Sequence, residues 1–167
     1  GAGGGTSKYT LEIAKRIKEL YNVPSLAHLT CVSSTKETVH NRIADMKAAG
    51  IENVMALRGD IPSELQNADR SLWAYHNAVE LVRELKDSIM KARPETKVLI
   101  MGDMNDDPDN KSMKSCLGAV REKEDVKSPA DLYNPWWNIL RKKGHGTLKY
   151  KGKWNLFDQI VLTGNLL

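Results

Sequence analysis

Apolar positions recur at helical spacing in YTLEIAKRIKELY, residues 9 to 21, where Leu11, Ile13, Ala14, Ile17 and Leu20 fall on one stripe. Asn22 and Pro24 end that stretch. AHLTCV (27–32) is short, apolar and β-branched, and predicts a strand. Thr35 is placed to cap a helix over KETVHNRIADMKAA, and Gly50 stands at its C′ position. NVMALRG (53–59) predicts a second strand. Asp69 or Ser71 is placed to cap a long helix reaching about Ala92, with Leu72, Ala78, Leu81, Val82, Leu85 and Ile89 inward, and Pro94 closes it. KVLIMGD (97–103) predicts a third strand.

Short strands separated by long helices give the alternation of a parallel sheet with right-handed crossovers. The expected class is α/β: a βαβαβ parallel core with 27–32, 53–58 and 97–102 side by side, then a C-terminal antiparallel hairpin. After Asp109 the alternation breaks. Lys111 to Leu117 predicts one or two helical turns, and PADLYNPWWNILRKKG is aromatic-rich and partly helical. GTLKYKGKWNLFDQIVL alternates and turns at Lys151-Gly152, which predicts the hairpin.

Composition adds limits rather than a function. The 167 residues suffice for a domain with a core, and 41% hydrophobic with 28% charged residues is ordinary for a globular protein. No apolar run approaches the ~20 residues of a membrane span, and no leader is visible, so a cytoplasmic location is expected. GAGGGT is an odd start for a natural protein, so the chain is read as a piece of a longer one. Cys31 and Cys116, the only cysteines, form neither a disulfide framework nor a zinc cluster. The net charge of +4 lies entirely after residue 85. Six basic residues and no acidic ones stand between Arg141 and Lys153, which suits either a phosphate-facing surface, nucleic acid included, or a solvated face.

Two stretches carry candidate chemistry. His28 and Thr30 lie on the first strand, and Arg58, Gly59 and Asp60 leave the second, at the strand ends where parallel α/β folds bind ligands. Arginine can hold a phosphate and aspartate can accept from a heterocycle. A capping aspartate beside a surface arginine explains the same three residues. Asp103 and Asn105 stand at i and i+2 of a strand end and can face one pocket. A carboxylate there can bind a metal or position a water, and an amide can orient a phosphate oxygen. Asp158 interrupts the apolar run NLFDQIVL, where an acid is costly unless paired, with a histidine as the useful partner. DMNDDPD also fits a plain Asp/Asn/Pro turn. It is not an EF-hand, because Pro108 and Lys114 stand where Gly and Glu are needed. His145 is read as a surface loop residue, and Trp136, Trp137 and Trp154 as core.

GAGGGTSKYTLEIAKRIK, AHLTCV, GIENVMALRGD and WAYHNAVELVRELK together resemble methylenetetrahydrofolate reductase, over residues 1 to about 86. The resemblance implies part of a (β/α)₈ barrel holding FAD, with flavin contacts at Ala2, His28, Arg58, Gly59, Asp60 and Ala78. Asn77 replaces a frequent aromatic, about two of eight barrel strands are present, and the catalytic glutamate belongs before Gly1.

KVLIMGDMNDDPDN, GHGTLKYKGKW and FDQIVLTG resemble the endonuclease/exonuclease/phosphatase superfamily, over roughly 87–167. That likeness implies a Mg²⁺-dependent phosphoesterase of four-layer α/β sandwich fold. In it Asp103 aligns or deprotonates water and is the metal candidate, Asn105 contacts the scissile phosphate, and Asp158 orients a histidine expected after Leu167. The metal-binding glutamate and an N-terminal asparagine belong upstream. The expectation is therefore two enzyme fragments joined near residues 85–90, 1–86 and 87–167. Each is incomplete for its own reaction, the substrate is a folate or a phosphoester if either is active, and poorly covered apolar surface favours self-association. A Mg²⁺-dependent phosphodiesterase and a catalytically silent α/β domain are the alternatives.

Overall fold

The computed structural model describes residues 7–167; Ala2, a flavin-contact candidate, lies outside the described residues. The chain divides into two units, 1–81 and 82–167.

In the first unit α1 (Ser7–Tyr21) precedes β1 (Leu26–Thr30), α2 (Lys36–Ala48) and β2 (Asn53–Leu57). The strands pair in parallel, Leu26 opposite Asn53 through Thr30 opposite Leu57. Thr35 caps α2 as its sequence predicts, its Oγ1 accepting from the Thr38 amide at 3.1 Å. Gly50 closes the helix with φ of 65°. Ala27, Leu29, Cys31 and Val39 are fully buried and form the centre of this unit. The apolar stripe of α1 is largely open instead. Ala14 is buried, but Ile13 and Leu20 are 57% and 70% exposed. Two strands offer too little sheet to cover it.

The long helix starts later than its apolar spacing suggests. Asp69 caps only a 3₁₀ turn, Arg70–Leu72, accepting from the Ser71 amide and hydroxyl at 2.9 and 2.7 Å. Leu72, expected inward, is 83% exposed. The α-helix, α3, runs Ala78–Ala92, and the unit boundary falls within it. Its true start is a reciprocal cap: the Glu80 amide donates to Asn77 Oδ1 at 3.1 Å, while the Glu80 carboxylate accepts from the His76 amide at 2.7 Å.

The second unit holds a four-stranded sheet in the order β3–β8–β5–β4, built from β3 (Leu99–Asp103), β8 (Asp158–Thr163), β5 (Leu132–Tyr133) and β4 (Ala119–Val120). A π-helical turn, Ser112–Leu117, precedes β4, and α4 (Trp136–Lys143) follows β5. The mixed α/β class and the C-terminal antiparallel pairing are as the sequence predicts. The third strand's partner is not: β3 pairs antiparallel with β8 rather than parallel with the second strand. An apolar run specifies burial, not the direction of its neighbour, and β8, with Gln159, Val161 and Thr163 buried in alternation, supplies a six-residue partner. No barrel is closed by these strands. β3 occupies a sheet edge, with Leu99 58% and Met101 71% exposed.

The hairpin forms a separate two-stranded ladder, β6 (Leu148–Tyr150) with β7 (Lys153–Asn155). Its turn residues Lys151 and Gly152 both have left-handed φ, 49° and 80°. That is the I′ geometry whose twist matches a two-residue hairpin.

Candidate active site

Asp103 ends β3 and Asp158 begins β8, and the antiparallel register sets them directly opposite each other. Residues so paired project from one face with Cβ atoms about 4.5–5.5 Å apart. Both carboxylates are exposed. Gly102 leads into this pair with φ of 142°. Nothing would touch a Cβ there, so conformation rather than space requires the glycine. Asn105 takes φ of 53°, and its amide donates to Asp103 Oδ1 at 2.8 Å. That turn fixes one carboxylate oxygen and holds the exposed Asn105 backbone next to the pair, in a conformation asparagine tolerates.

The acidic loop divides into one candidate and three structural members. Asp106 accepts from Asn110 Nδ2 and Ser112 Oγ. Asp107 Oδ1 accepts from the Leu156 amide at 2.7 Å. Asp109 accepts from Arg141 Nε at 2.8 Å. These bonds anchor the loop after β3 to its own turn, to the approach to β8, and to α4. Much of the negative charge in DMNDDPD is therefore turn chemistry, and Asp103 is the aspartate left facing the strand junction.

The residue that costs most to bury in NLFDQIVL is Gln159, not Asp158. Gln159 is 2% exposed. Its Nε2 donates to the Asp106 and Leu156 carbonyls at 2.6 and 2.9 Å, and its Oε1 accepts from Asn134 Nδ2 at 2.7 Å. Asn134, fully buried, also accepts from the Trp136 amide at 3.1 Å. One amide thus ties the loop holding Asp103 to β8 and to the start of α4. Thr147 fixes the other strand: its Oγ1 accepts from the Phe157 and Asp158 amides at 3.1 and 3.2 Å. Gly146 allows this approach, because a Cβ there would lie 2.3 Å from the Asn155 carbonyl oxygen. Sequence reasoning missed Gln159, Asn134 and Thr147. The signal for Gln159 was its parity, an amide in phase with the inward positions Val161 and Thr163.

No group of three or more His, Cys, Asp or Glu side chains among the described residues is arranged to hold a metal ion, so His145, an exposed residue, adds nothing to Asp103 and Asp158. Mg²⁺ takes one or two carboxylates and keeps several waters. Two facing carboxylates suit it in kind.

In the first unit Arg58 and Gly59 leave β2 beside the end of β1. The Val32 amide donates to the Arg58 carbonyl at 2.7 Å, and a Cβ on Gly59 would lie 2.9 Å from Val32 Cγ1. Cys31 Sγ contacts the carbonyls of Arg58 at 3.9 Å and Asn77 at 3.6 Å. The strand end, the Arg58 loop and the residue before Ala78 therefore meet around one buried thiol. Burial, and secondarily the Glu80 carboxylate, push that thiol up to about 11. Asp60 is exposed next to this junction. His28 lies lower on β1, where it lines a cavity of about 400 Å³ with Thr10, Ile13, Ile17, Ser25 and Leu26; Arg58, Gly59 and Asp60 are not part of that lining. No helix among the described residues is long and apolar enough to cross a membrane.

Sequence comparison finds likeness to both families. A methylenetetrahydrofolate reductase (NADH) of Zea mays is 36% identical over 86 residues, 52% of this chain and 14% of its own length. Methylenetetrahydrofolate reductase 2 of Schizosaccharomyces pombe is 30% identical over 87 residues, again 52% and 14%. The 5,10-methylenetetrahydrofolate reductase of Pectobacterium carotovorum is 34% identical over 87 residues, 52% of this chain and 28% of its own. The chain thus spans only a small part of the relatives it matches. The family-level match is longer, covering residues 34–167 and including the whole Asp103–Asn105–Asp158 junction. On that match the chain belongs to the Endonuclease/Exonuclease/phosphatase family.

Proposed function

We propose that the second unit serves metal-dependent hydrolysis of a phosphoester, with Asp103, Asn105 and Asp158 as the groups that act on it. The observation that carries this reading is the opposition of Asp103 and Asp158 across the β3–β8 ladder, with the Asn105 backbone amide held on Asp103. Asp103, one oxygen already held by the Asn105 amide, orients or deprotonates a water with the other. Asn105 supplies a neutral donor to a phosphate oxygen without adding charge. Asp158 is the group that would orient a histidine. A divalent cation held by Asp103 and Asp158 would supply charge neutralisation and a more acidic bound water. The chain is proposed to join reductase-derived and phosphoesterase-derived segments near residues 85–90.

Hydrolysis of a chromogenic phosphodiester with and without Mg²⁺ tests this. Slow, Mg²⁺-dependent turnover that falls to background in Asp103→Asn supports it. Turnover unchanged in that variant overturns it.

The first unit supports a second reading, a retained flavin contact, from the packing of Gly59 on Val32 and the meeting of Arg58 and Asn77 around Cys31. Arg58 would bind the phosphates of FAD, Asp60 would act on the ring, and Gly59 and Ala78 would permit close approach, with His28 further along β1. Absorbance near 450 nm after reconstitution with FAD, lost in Arg58→Ala, is the expected result; no retained flavin rejects it.

A further inference from the structure

The ladder between β3 and β8 uses alternate residues of β3. The Thr163 amide donates to the Val98 carbonyl at 3.1 Å, and the Met104 amide donates to the Phe157 carbonyl at 2.7 Å. Both bonds continue the register that runs from Leu99 opposite Leu162 to Asp103 opposite Asp158. In an antiparallel ladder every second residue turns its N–H and C=O to one neighbour, and the residues between turn theirs to the other side. The even positions from Val98 to Met104 therefore face β8, and Leu99, Met101 and Asp103 present their backbone groups outward. No other strand among the described residues takes them, because β3 ends its sheet. The edge is open: Met101 is 71% exposed, and nothing would touch a Cβ on Gly102. LIMGD holds neither lysine nor proline, the usual guards of a sheet edge. The opposite edge, β4, is only two residues long and a poor template.

Lys97 and Asp103 bracket the strand KVLIMGD with opposite charges, and both are exposed. A second copy of this strand, antiparallel and centred on Ile100, sets Leu99 opposite Met101 and Lys97 opposite Asp103, each twice by symmetry. Centring on Leu99 sets Met101 against Lys97, and centring on Met101 sets Leu99 against Asp103, an apolar side chain against an ion in both cases. A slip by half a step opposes outward groups to inward ones and makes no ladder. We propose that β3 is the docking edge for a second copy of this chain, the two strands pairing antiparallel about Ile100 so that Lys97 of each meets Asp103 of the other. Such an interface is isologous and closes at two copies. It carries a lysine of the second copy to the facing Asp103 and Asp158 carboxylates, so each copy contributes a cation to the other's candidate site. An unrelated extended peptide would satisfy the same backbone groups; the strand's own sequence also returns both charges in register. The pairing stands apart from the hydrolytic reading and holds whether or not that reading does.

Sedimentation velocity of the whole chain, in chelator, reads the association, and a monomer–dimer equilibrium is expected. Lys97→Glu and Asp103→Lys each set like charges opposite one another and should weaken the dimer about tenfold when studied alone. Mixed in equal amounts, the two variants carry complementary strands and should form a heterodimer as strong as the wild-type dimer. Met101→Pro removes an outward N–H and leaves the β8 ladder untouched, as proline on an edge strand can. It should abolish the dimer while the far-ultraviolet circular dichroism stays that of the wild type. A wild-type chain that stays monomeric would overturn the proposal. So would single charge variants that dimerise as well as wild type, a mixture of them that stays monomeric, or a folded Met101→Pro chain that still dimerises.

Discussion

Asp103 and Asp158 lie 55 positions apart in sequence and directly opposite each other in the β3–β8 ladder. Like charges so placed oppose the pairing that brings them together. Neutralising one by Asp158→Asn is expected to raise the urea midpoint slightly while lowering Mg²⁺-dependent phosphoester turnover, because one of the two carboxylates that would hold the cation is lost. Parallel measurement of unfolding and rate checks the split. A variant that loses both, or neither, would show that the pair is not functional.

Gln159 offers a contrasting case, because its role is to hold the loop. Gln159→Leu keeps the volume but leaves the Asn134 amide and two backbone carbonyls without their partner. A loss of roughly 2–4 kcal/mol is expected, the sum of unpaired buried groups. Urea unfolding measures it. A loss below about 1 kcal/mol would mean that water replaces the amide.

The hairpin turn predicts opposite signs for two substitutions. Lys151→Asn should stabilise slightly, since asparagine accepts left-handed φ more readily than lysine. Gly152→Ala should cost about 1 kcal/mol through the same angle. Hydrogen exchange at Tyr150 and Lys153 reports the effect locally.

Cys31 sets a pH limit. Its thiol is raised from 9.0 to about 11 by burial and then by Glu80, so the folded chain holds that proton more tightly than the unfolded one. Its contribution is complete below about pH 9 and declines as pH rises from there towards 11. Thermal melts across that range should fall in midpoint, and Cys31→Ser should lessen the fall. At neutral pH iodoacetamide should label the half-buried Cys116 first, with Cys31 reacting only on unfolding.

Leu99 and Met101 on the β3 edge, with Ile13 and Leu20 on α1, leave apolar side chains open. Concentration-dependent association in sedimentation velocity is expected, with Leu99→Lys and Met101→Lys together reducing it, since charge on an edge strand discourages pairing. Monodisperse wild-type chain at high concentration would contradict this.

The local devices were legible in the sequence because they depend on near neighbours. Thr35, Gly50 and the Lys151–Gly152 turn are set by backbone conformation within a few residues. The start of α3 was equally local but hidden, because Asp69 offered a cap eight positions before the Asn77–Glu80 box. The partner of β3 was not legible, since pairing with β8 depends on what other strands are present to bury it. The candidate residues at the β3 end stood out in the sequence only as types, an acid and an amide at a strand end. That DMNDDPD fits a turn was legible too, but not the partners that Asp106, Asp107 and Asp109 find in Ser112, Leu156 and Arg141, which sequence distance conceals.

The β3–β8 ladder also imposes a timetable on synthesis. β3 leaves the ribosome long before β8 exists, and β4, β5, α4 and the hairpin must all emerge while it waits without its neighbour. Asp103 and Asp158 meet only once residues to Thr163 are free, so the nascent chain carries an unmatched strand for most of the second unit's translation. That interval opens a window for chaperone capture or aggregation separate from the one the finished surface offers.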